Sequence, residues 1–305
     1  MVIVSAGIGA VSDPGLTRAF DWFMSQDDVV TKFSDAIRQS FDEVFDGQRT
    51  GRYHLGQLSK TEKTYVGTKV EIVVQDVFGL SRGKRMDFDV AGEDVDSKWS
   101  MRSGGWMIPM EAVGELCLCI TGDDATSRFS VGLIRANDTA LNEGRSRDKK
   151  RTLSEGGRSS MRWLIEDGQL AENLLLHLDT EIRDTILDYD LSGQSRINNL
   201  FRLVQLRPVR REVVLTVARQ DDGPKRVRDA RPHLQPLGIV VLGHQGSHTE
   251  IAAQLGLPVI PKGTWISCRL VPAAGASTNT VTIAGSTWRV ACADDDDVPG
   301  PLEYQ

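Results

Sequence analysis

Cysteine is scarce: four residues in a chain of 305 cannot build the dense disulfide framework of a small secreted scaffold. No run approaches the roughly 18 apolar residues that cross a bilayer as a helix. The opening Met1-Val2-Ile3-Val4-Ser5-Ala6-Gly7 lacks the basic stretch of an export signal, so a cytoplasmic protein with no membrane partner is expected. Positive charge is also short overall. The formal net charge of -6 argues mildly against a polyanionic partner.

The distribution of charge reverses that argument. Residues 1–48 hold eight acids and three bases, and residues 166–190 hold eight acids and one base. Between them, residues 145–165 hold seven bases and two acids. Residues 191–270 carry a net charge of +7. A protein that touches nucleic acid needs a local positive face, not a positive average. The length suggests two domains, and 40 % hydrophobic with 26 % charged residues is ordinary for a globular chain.

Periodicity gives a coarse map. Residues 1–14 read as loose, ending on an Asp13-Pro14 breaker. Apolar residues from Leu16 to Val44 recur at helical spacing, with a break at Asp27-Asp28, either of which can cap the second helix. Gly67 to Phe78 reads as a further helix. Residues 87–90 and 95–99 alternate as two short strands about a turn, and 116–121 and 129–134 read as buried strands. The acidic stretch Glu166-Asp167-Gly168-Gln169 marks the boundary: an α/β domain over 1–165, a linker over 166–171 and a second domain over 172–305.

In the second part, helices are expected over 172–188 and 195–206, with strands at 213–217 and 238–242. Ser247 and Glu250 have the spacing of a capping box opening a helix at 251–255, closed by Gly256 and Pro258. Strands at 265–271, 280–283 and 288–291 complete it, and Asp294 to Asp297 read as a solvated, disordered acidic tail. The short helix with the β-rich end is compatible with a winged helix-turn-helix. The bases Arg210, Arg211, Arg219, Lys225, Arg226, Arg228 and Lys262 are candidate DNA contacts, arginine being suited to bidentate phosphate and guanine contacts.

The sharpest chemical pattern is Asp87 followed by Asp96-Ser97-Lys98. On a strand, Asp96 and Lys98 point the same way. If the two strands adjoin, Asp87 converges on Asp96, and two carboxylates so close repel unless a cation lies between them. Hard oxygen donors suit Mg²⁺, and a lysine beside it can orient or deprotonate a water and offset charge on a phosphoryl oxygen. Glu71 adds a third carboxylate from the preceding helix. The alternative for this pattern is a surface ion pair on a solvated hairpin. Lys60 and Lys63 flank Glu71 and can receive backbone phosphates, as can Arg49 and Arg52. Cys117 and Cys119 read as core, and His244 and His248 do not make a zinc site.

Val44-Phe45-Asp46-Gly47-Gln48-Arg49 resembles the adenylation motif of DNA ligases, with Val44 where the lysine nucleophile is required. The cluster at Asp87, Asp96 and Lys98 resembles the PD-(D/E)xK nuclease superfamily, with Met86 in place of the usual proline. Further stretches resemble the NaeI restriction endonuclease family in order along both halves. They include Phe45–Tyr53, Lys60–Thr64, Val70-Glu71-Ile72, Val95-Asp96, Glu172–His177, Lys225–Arg228, Leu242–Gln245 and Leu255–Pro258.

That resemblance implies a homodimer whose subunits each carry a restriction-endonuclease-like mixed sheet with flanking helices. A second domain of catabolite-activator-like winged helix-turn-helix fold is implied beside it. It implies catalytic Glu71, Asp87, Asp96 and Lys98, the three acids holding Mg²⁺, and cleavage of duplex DNA at a palindrome such as GCCGGC. A second copy of the site would act as effector, and a cognate DNA methyltransferase would share the host. Trp99, Arg102 and Ile108 adjoin the expected site and can alter base readout. The competing classes are a catalytically idle sequence-specific DNA-binding protein and a nicking-resealing enzyme. The latter needs a nucleophile that none of Tyr53, Tyr65, Tyr189 and Tyr304 is marked out to be.

Overall fold

The computed structural model describes residues 13–144, 148–273, 278–302 and 304. Of the stretch 1–14 expected to be loose, residues 1–12 lie outside the described residues, as do Arg145 and Arg147, while Asp13 and Pro14 already belong to the start of a helix. Contacts divide the chain into two compact units: Met1–Phe45 with His54–Asn173, and Asp46–Tyr53 with Leu174–Gln305. The second unit therefore includes a segment drawn from within the first.

Along the first unit, helices α1 (Pro14–Met24) and α2 (Val29–Phe45) come first. After the short helix α3 (Gly47–Thr50) of the other unit, α4 (Lys60–Phe78) follows. Strands β1 (Phe88–Val90), β2 (Glu93–Ser100), β3 (Leu116–Asp123), β4 (Arg128–Arg135) and β5 (Arg162–Gln169) form a sheet in that order, with α5 (Glu155–Ser160) before β5. Strands β2 and β3 run parallel and the other neighbours antiparallel, so the sheet is mixed.

Local chemistry explains the helix boundaries. The Asp13 carboxylate accepts the Leu16 N–H at 2.9 Å, and Pro14 opens α1, where a missing N–H costs nothing. Asp28 adopts φ +52° between α1 and α2, and its carbonyl accepts from Lys32. Helix α4 begins seven residues before the expected Gly67. Ser59 and Glu62 form a reciprocal capping box there, a signal legible in Ser59-Lys60-Thr61-Glu62. Val66, Val70, Val73 and Val74 make the buried stripe of α4.

The core of this unit lies on both faces of the sheet. Val95, Leu116, Leu118 and Ile120 join Phe33, Phe41, Val70 and Val74 on the helical side. Cys117 and Cys119 join Trp106, Ile108 and Met161 on the other. The acidic stretch 166–169 is not a linker: it is the end of β5, with Gly168 opposite Phe129. Its acidic side chains reach solvent from an edge strand, so composition alone resembles a connector there. The contact boundary follows Asn173. Near it, the buried Arg38 guanidinium pairs with Asp124, whose other oxygen accepts the Asn173 amide at 2.7 Å.

The second unit contains α3, then α6 (Thr180–Ile186), α7 (Gly193–Leu203), β6 (Val209–Arg210), α8 (Arg211–Ala218) and α9 (Gly223–Leu234). Strand β7 (Ile239–Leu242), α10 (His248–Gln254), β8 (Thr264–Pro272), β9 (Thr280–Ile283) and β10 (Ser286–Val290) complete it. Strands β6, β7 and β10 each pair antiparallel with β8, and β9 pairs with β10.

Four expectations fail here. Residues 213–217, expected as a strand, lie in helix α8. Val214, Val217 and Ala218 are buried at helical spacing, and tertiary packing overrides the β-branched run. Helix α6 starts only at Thr180, not near 172. Ser247 stands at the N-cap of α10, but its side chain makes no capping bond; its hydroxyl reaches the Tyr304 carbonyl at 3.4 Å instead. The acidic run at 294–297 is tied down. Arg289 grips Asp295 through two bonds of 2.6 and 2.7 Å, and Arg269 donates to the carbonyls of Asp295 and Asp296.

The stretch that resembles a ligase motif has a structural role. Val44 is buried in the first core, where a lysine would find no water. The following residues dock α3 against α8. A Cβ at Gly47 would strike Thr216 and the Arg52 carbonyl, and one at Gly51, held at φ +76°, would strike Tyr189. Gln48 bonds Asp221, and Arg219 donates to the Arg49 carbonyl. The two glycines are there for close approach, not for a nucleotide.

Candidate active site

Strand β2 carries Asp96 and Lys98 on one side, as period two requires. Lys98 Nζ stands 2.6 Å from Asp96 Oδ2. Asp87, on the connection into β1, turns its Oδ2 to accept the Ser97 N–H at 2.7 Å. The strand thus presents Asp96 and Lys98 as side chains and receives Asp87 on the backbone between them. All three expected residues come together.

Electrostatics report the same convergence. Burial lifts the Asp96 carboxyl to about 6; Lys98 opposes the rise and Asp87 adds to it. Burial also raises Glu71, and Asp87 is the next cause, so the third acid feels the pair from α4. For Lys98, burial works against the ammonium, but Asp96 and Asp87 outweigh it and its pKa rises. Behind Asp96, Cys117 is a buried thiol 3.9 Å from Oδ2, and burial holds it protonated.

Lys98 and Glu71 line a cavity of about 720 Å³. One stripe of α4 lines it: Lys60, Lys63, Thr64, Gly67, Thr68 and Glu71, spaced as successive turns of one helix face. Gly67 lets this face pass close to Trp99, where a Cβ would sit 3.3 Å from the Trp99 Cβ. Opposite are Lys98, Met101, Met107, Glu111 and Lys150. Lys60 and Lys63 therefore put two positive charges on the wall of the cavity that Glu71 and Lys98 share. Glu111 was not foreseen, since no pattern distinguishes it. Lys150 was noted only as part of a basic run, and Met101 and Met107 carried no signal.

The donors around this cavity suit a hard divalent cation. Asp87 stands where it disfavours the charge of Asp96, and Glu71 is in electrostatic reach of both. Among the described residues, no three Asp, Glu, His or Cys side chains stand close enough to form a complete cage. Remaining positions around an ion would fall to water, as Mg²⁺ prefers.

A family model described as "Restriction endonuclease NaeI" matches residues 18–299. The chain belongs to the NaeI restriction endonuclease family. It is 41 % identical over 303 residues to the type II restriction enzyme NaeI of Lentzea aerocolonigenes, covering 96 % of this chain and 95 % of that one. In this NaeI family member, the mixed sheet is the scaffold of the carboxylate–lysine cluster.

The other expected DNA contacts are dispersed. Arg102 is exposed on the loop after β2, where its N–H is bonded to the Ser100 hydroxyl. Ile108 is fully buried and Trp99 packs against Phe41 at 5.7 Å, so Ile108 does not face a base and Trp99 is chiefly a wall. Arg49 and Arg52 lie in the second unit. Arg49 is exposed but paired with Asp46 at 2.6 Å.

Also in the second unit, α8 and α9 are joined by the turn 219–222. This is a different pair from the expected helix near 251–255. Helix α9 turns Val227, Ala230, Arg231 and Leu234 inward and leaves Lys225 and Arg228 exposed. Arg226 is paired with Asp222, and Lys225 reaches Asp229 at 3.8 Å. Arg231 is buried and donates to the Val241 carbonyl, a structural task. Arg219 lies over the Tyr189 ring, Arg210 stands 3.9 Å from Glu212, and Arg211 and Lys262 are exposed.

Among the described residues, no helix is long and apolar enough to cross a membrane.

Proposed function

We propose that this chain is a Mg²⁺-dependent type II endonuclease that hydrolyses phosphodiester bonds of duplex DNA at a short GC-rich palindrome, GCCGGC being the leading candidate. The observation that carries the reading is the meeting of Asp87, Asp96 and Lys98, with Lys98 and Glu71 on the wall of a cavity that Lys60 and Lys63 also line. Asp87 and Asp96 would hold the ion, with Glu71 completing the shell or acting through water. When bound, Mg²⁺ would supply Lewis-acid polarisation of the phosphoryl group and of water.

The side chains do the rest. Lys60 and Lys63 seat the DNA backbone by charge. The Lys98 ammonium, held by Asp96, orients the attacking water and offsets charge building on the phosphoryl oxygen. The water oxygen bonds to phosphorus as it gives up a proton, the ester P–O bond in line breaks, and the leaving oxygen takes up a proton in turn, so the two transfers balance.

The second unit acts as the effector module in this reading. Its order α7, β6, α8, turn, α9, β7 and β8, with β6 and β7 both on β8, supports reading it as a winged helix-turn-helix with an insertion around α10. Helix α9, with Lys225 and Arg228 outward, would be the element that enters a groove. A homodimer follows from the palindrome, each subunit reading one half-site. A partner methyltransferase would protect the host's own sites.

The test is supercoiled plasmid incubated with the protein and Mg²⁺. Discrete linear fragments, whose ends map to one sequence, are expected. Unchanged plasmid would favour a DNA-binding protein that does not cut, and relaxed closed circles a resealing enzyme.

A further inference from the structure

We propose that Met101 and Met107 are apolar base contacts of the nuclease cavity, pressing on the base step beside the scissile phosphate and so contributing to site discrimination. The proposal rests on the endonuclease reading above.

Both methionines line the cavity that holds Glu71 and Lys98, and both are exposed, at 42 % and 43 %. Isolated exposed apolar side chains are common on any surface. Two facing the same cleft, whose other walls carry Lys60, Lys63 and Lys150, are a different matter. The lysines match phosphates. A thioether offers a phosphate nothing, so its counterpart on a duplex is a base face or a sugar. Methionine is among the side chains that wedge between base steps, and its unbranched chain adapts to an irregular partner.

The loop is built to hold these side chains out. Trp106 and Ile108, on either side of Met107, are 1 % and 0 % exposed. The Trp106 indole N–H donates to the Ile120 carbonyl at 2.9 Å. Ile108 exchanges two backbone bonds of 2.8 Å with Arg151. With both neighbours anchored inward, alternation directs Met107 to the cavity. Met101 is fixed by its own neighbours. The Ser100 hydroxyl donates to the Arg102 carbonyl at 2.7 Å and accepts the Arg102 N–H at 3.1 Å. Little backbone ordering remains to be done when DNA arrives, so the contacts favour binding at low entropic cost.

The test uses the full chain with Ca²⁺ in place of Mg²⁺. The DNA is the duplex site mapped from fragment ends and a scrambled duplex of equal length. Hydrogen peroxide transfers one oxygen to each accessible thioether, leaving water, and mass spectrometry reads the sulfoxide at each methionine. Met101 and Met107 are expected to oxidise readily in the free protein and at least fivefold more slowly on the mapped duplex. Met24, exposed but lining no part of the cavity, should oxidise equally in both.

In parallel, M101A and M107A should lower the ratio of mapped-site to scrambled-duplex affinity about tenfold. Their salt dependence should stay that of the parent, and M107L should restore most of the ratio. Oxidation undiminished by the mapped duplex, or alanine variants that weaken both duplexes equally, would overturn the proposal. A parent that neither cuts in Mg²⁺ nor binds the duplex would instead overturn the endonuclease reading, and this proposal with it.

Discussion

Asp87 is held by the backbone of the residue that separates Asp96 from Lys98: its Oδ2 accepts the Ser97 N–H at 2.7 Å. One strand thus fixes all three groups, two through side chains and the third through a main-chain donor. Asp96→Asn is expected to lower cleavage on the order of 10³-fold, the scale of removing a principal electrostatic group. Duplex binding in Ca²⁺ should persist. Lys98→Ala should lose the chemical step with less effect on metal affinity. Fragment yield, gel shift and metal titration on the same preparations check both, and cleavage by Asp96→Asn at the parent's rate would remove Asp96 from the metal shell.

Two arginines three residues apart on α9 should behave differently. Arg228 is exposed, so Arg228→Ala should weaken duplex binding by the second unit and lower the slope of log affinity against log salt by about 1. Arg231 is buried on the Val241 carbonyl, so Arg231→Ala should lower stability and leave the slope alone. Binding isotherms at several salt concentrations, set beside urea unfolding curves, separate the two.

Asp124 is 2 % exposed and faces the Arg38 guanidinium. Asp124→Ala would leave the buried cation paired with Asp42 alone, 2.9 Å away, at a cost of about 2 kcal/mol. Replacing both, Arg38→Met with Asp124→Leu, should recover much of the loss. Chemical denaturation of the parent and the two variants gives the comparison.

His248 is buried, accepts the Gly243 N–H on Nδ1, and burial depresses its pKa from 6.5 to about 4. The native state thus favours the neutral ring, and below pH 6.5 the unfolded chain binds the extra proton. The resulting contribution should be complete above about pH 6.5, decline as pH falls towards 4, and then level off. Its size is on the order of 3 kcal/mol. The difference in unfolding free energy between the parent and His248→Asn, followed from pH 4 to 7, should trace that curve. A flat difference would contradict it.

If the second unit is an effector module, a one-site plasmid should be cut slowly and a short duplex bearing the site should accelerate the cut in trans. A scrambled duplex should do much less. Equal initial rates on one-site and two-site plasmids, unmoved by added duplex, would reduce the second unit to an affinity anchor.

The nuclease cluster was legible because strand alternation is local: Asp96 and Lys98 share a side whatever the rest of the chain does. Glu71 could be placed on a helix, but the lysine stripe from Lys60 to Glu71 emerges only once the Ser59–Glu62 box moves the helix start. Helix α8 was misread because Val213 to Val217 has strand-like composition, and the burial of Val214, Val217 and Ala218 is decided by distant partners. The docking of Gly47 on Thr216 joins residues far apart in sequence, and no periodicity encodes it. Exposed methionines carry no pattern at all until a cavity is seen around them.

The excursion of Asp46–Tyr53 changes what it means to take this protein apart. The polypeptide passes between the two units three times: after Phe45, after Tyr53 and after Asn173. A fragment beginning at 172 would lack α3, whose glycines fill the space beside α8, and would expose a surface the whole chain covers. Conversely, a single protease nick near 173 would leave two pieces still bound together, with the shorter inserted loop of one gripped by the other. The units are stitched rather than strung, so an exchange of effector modules between relatives has to carry both pieces of thread.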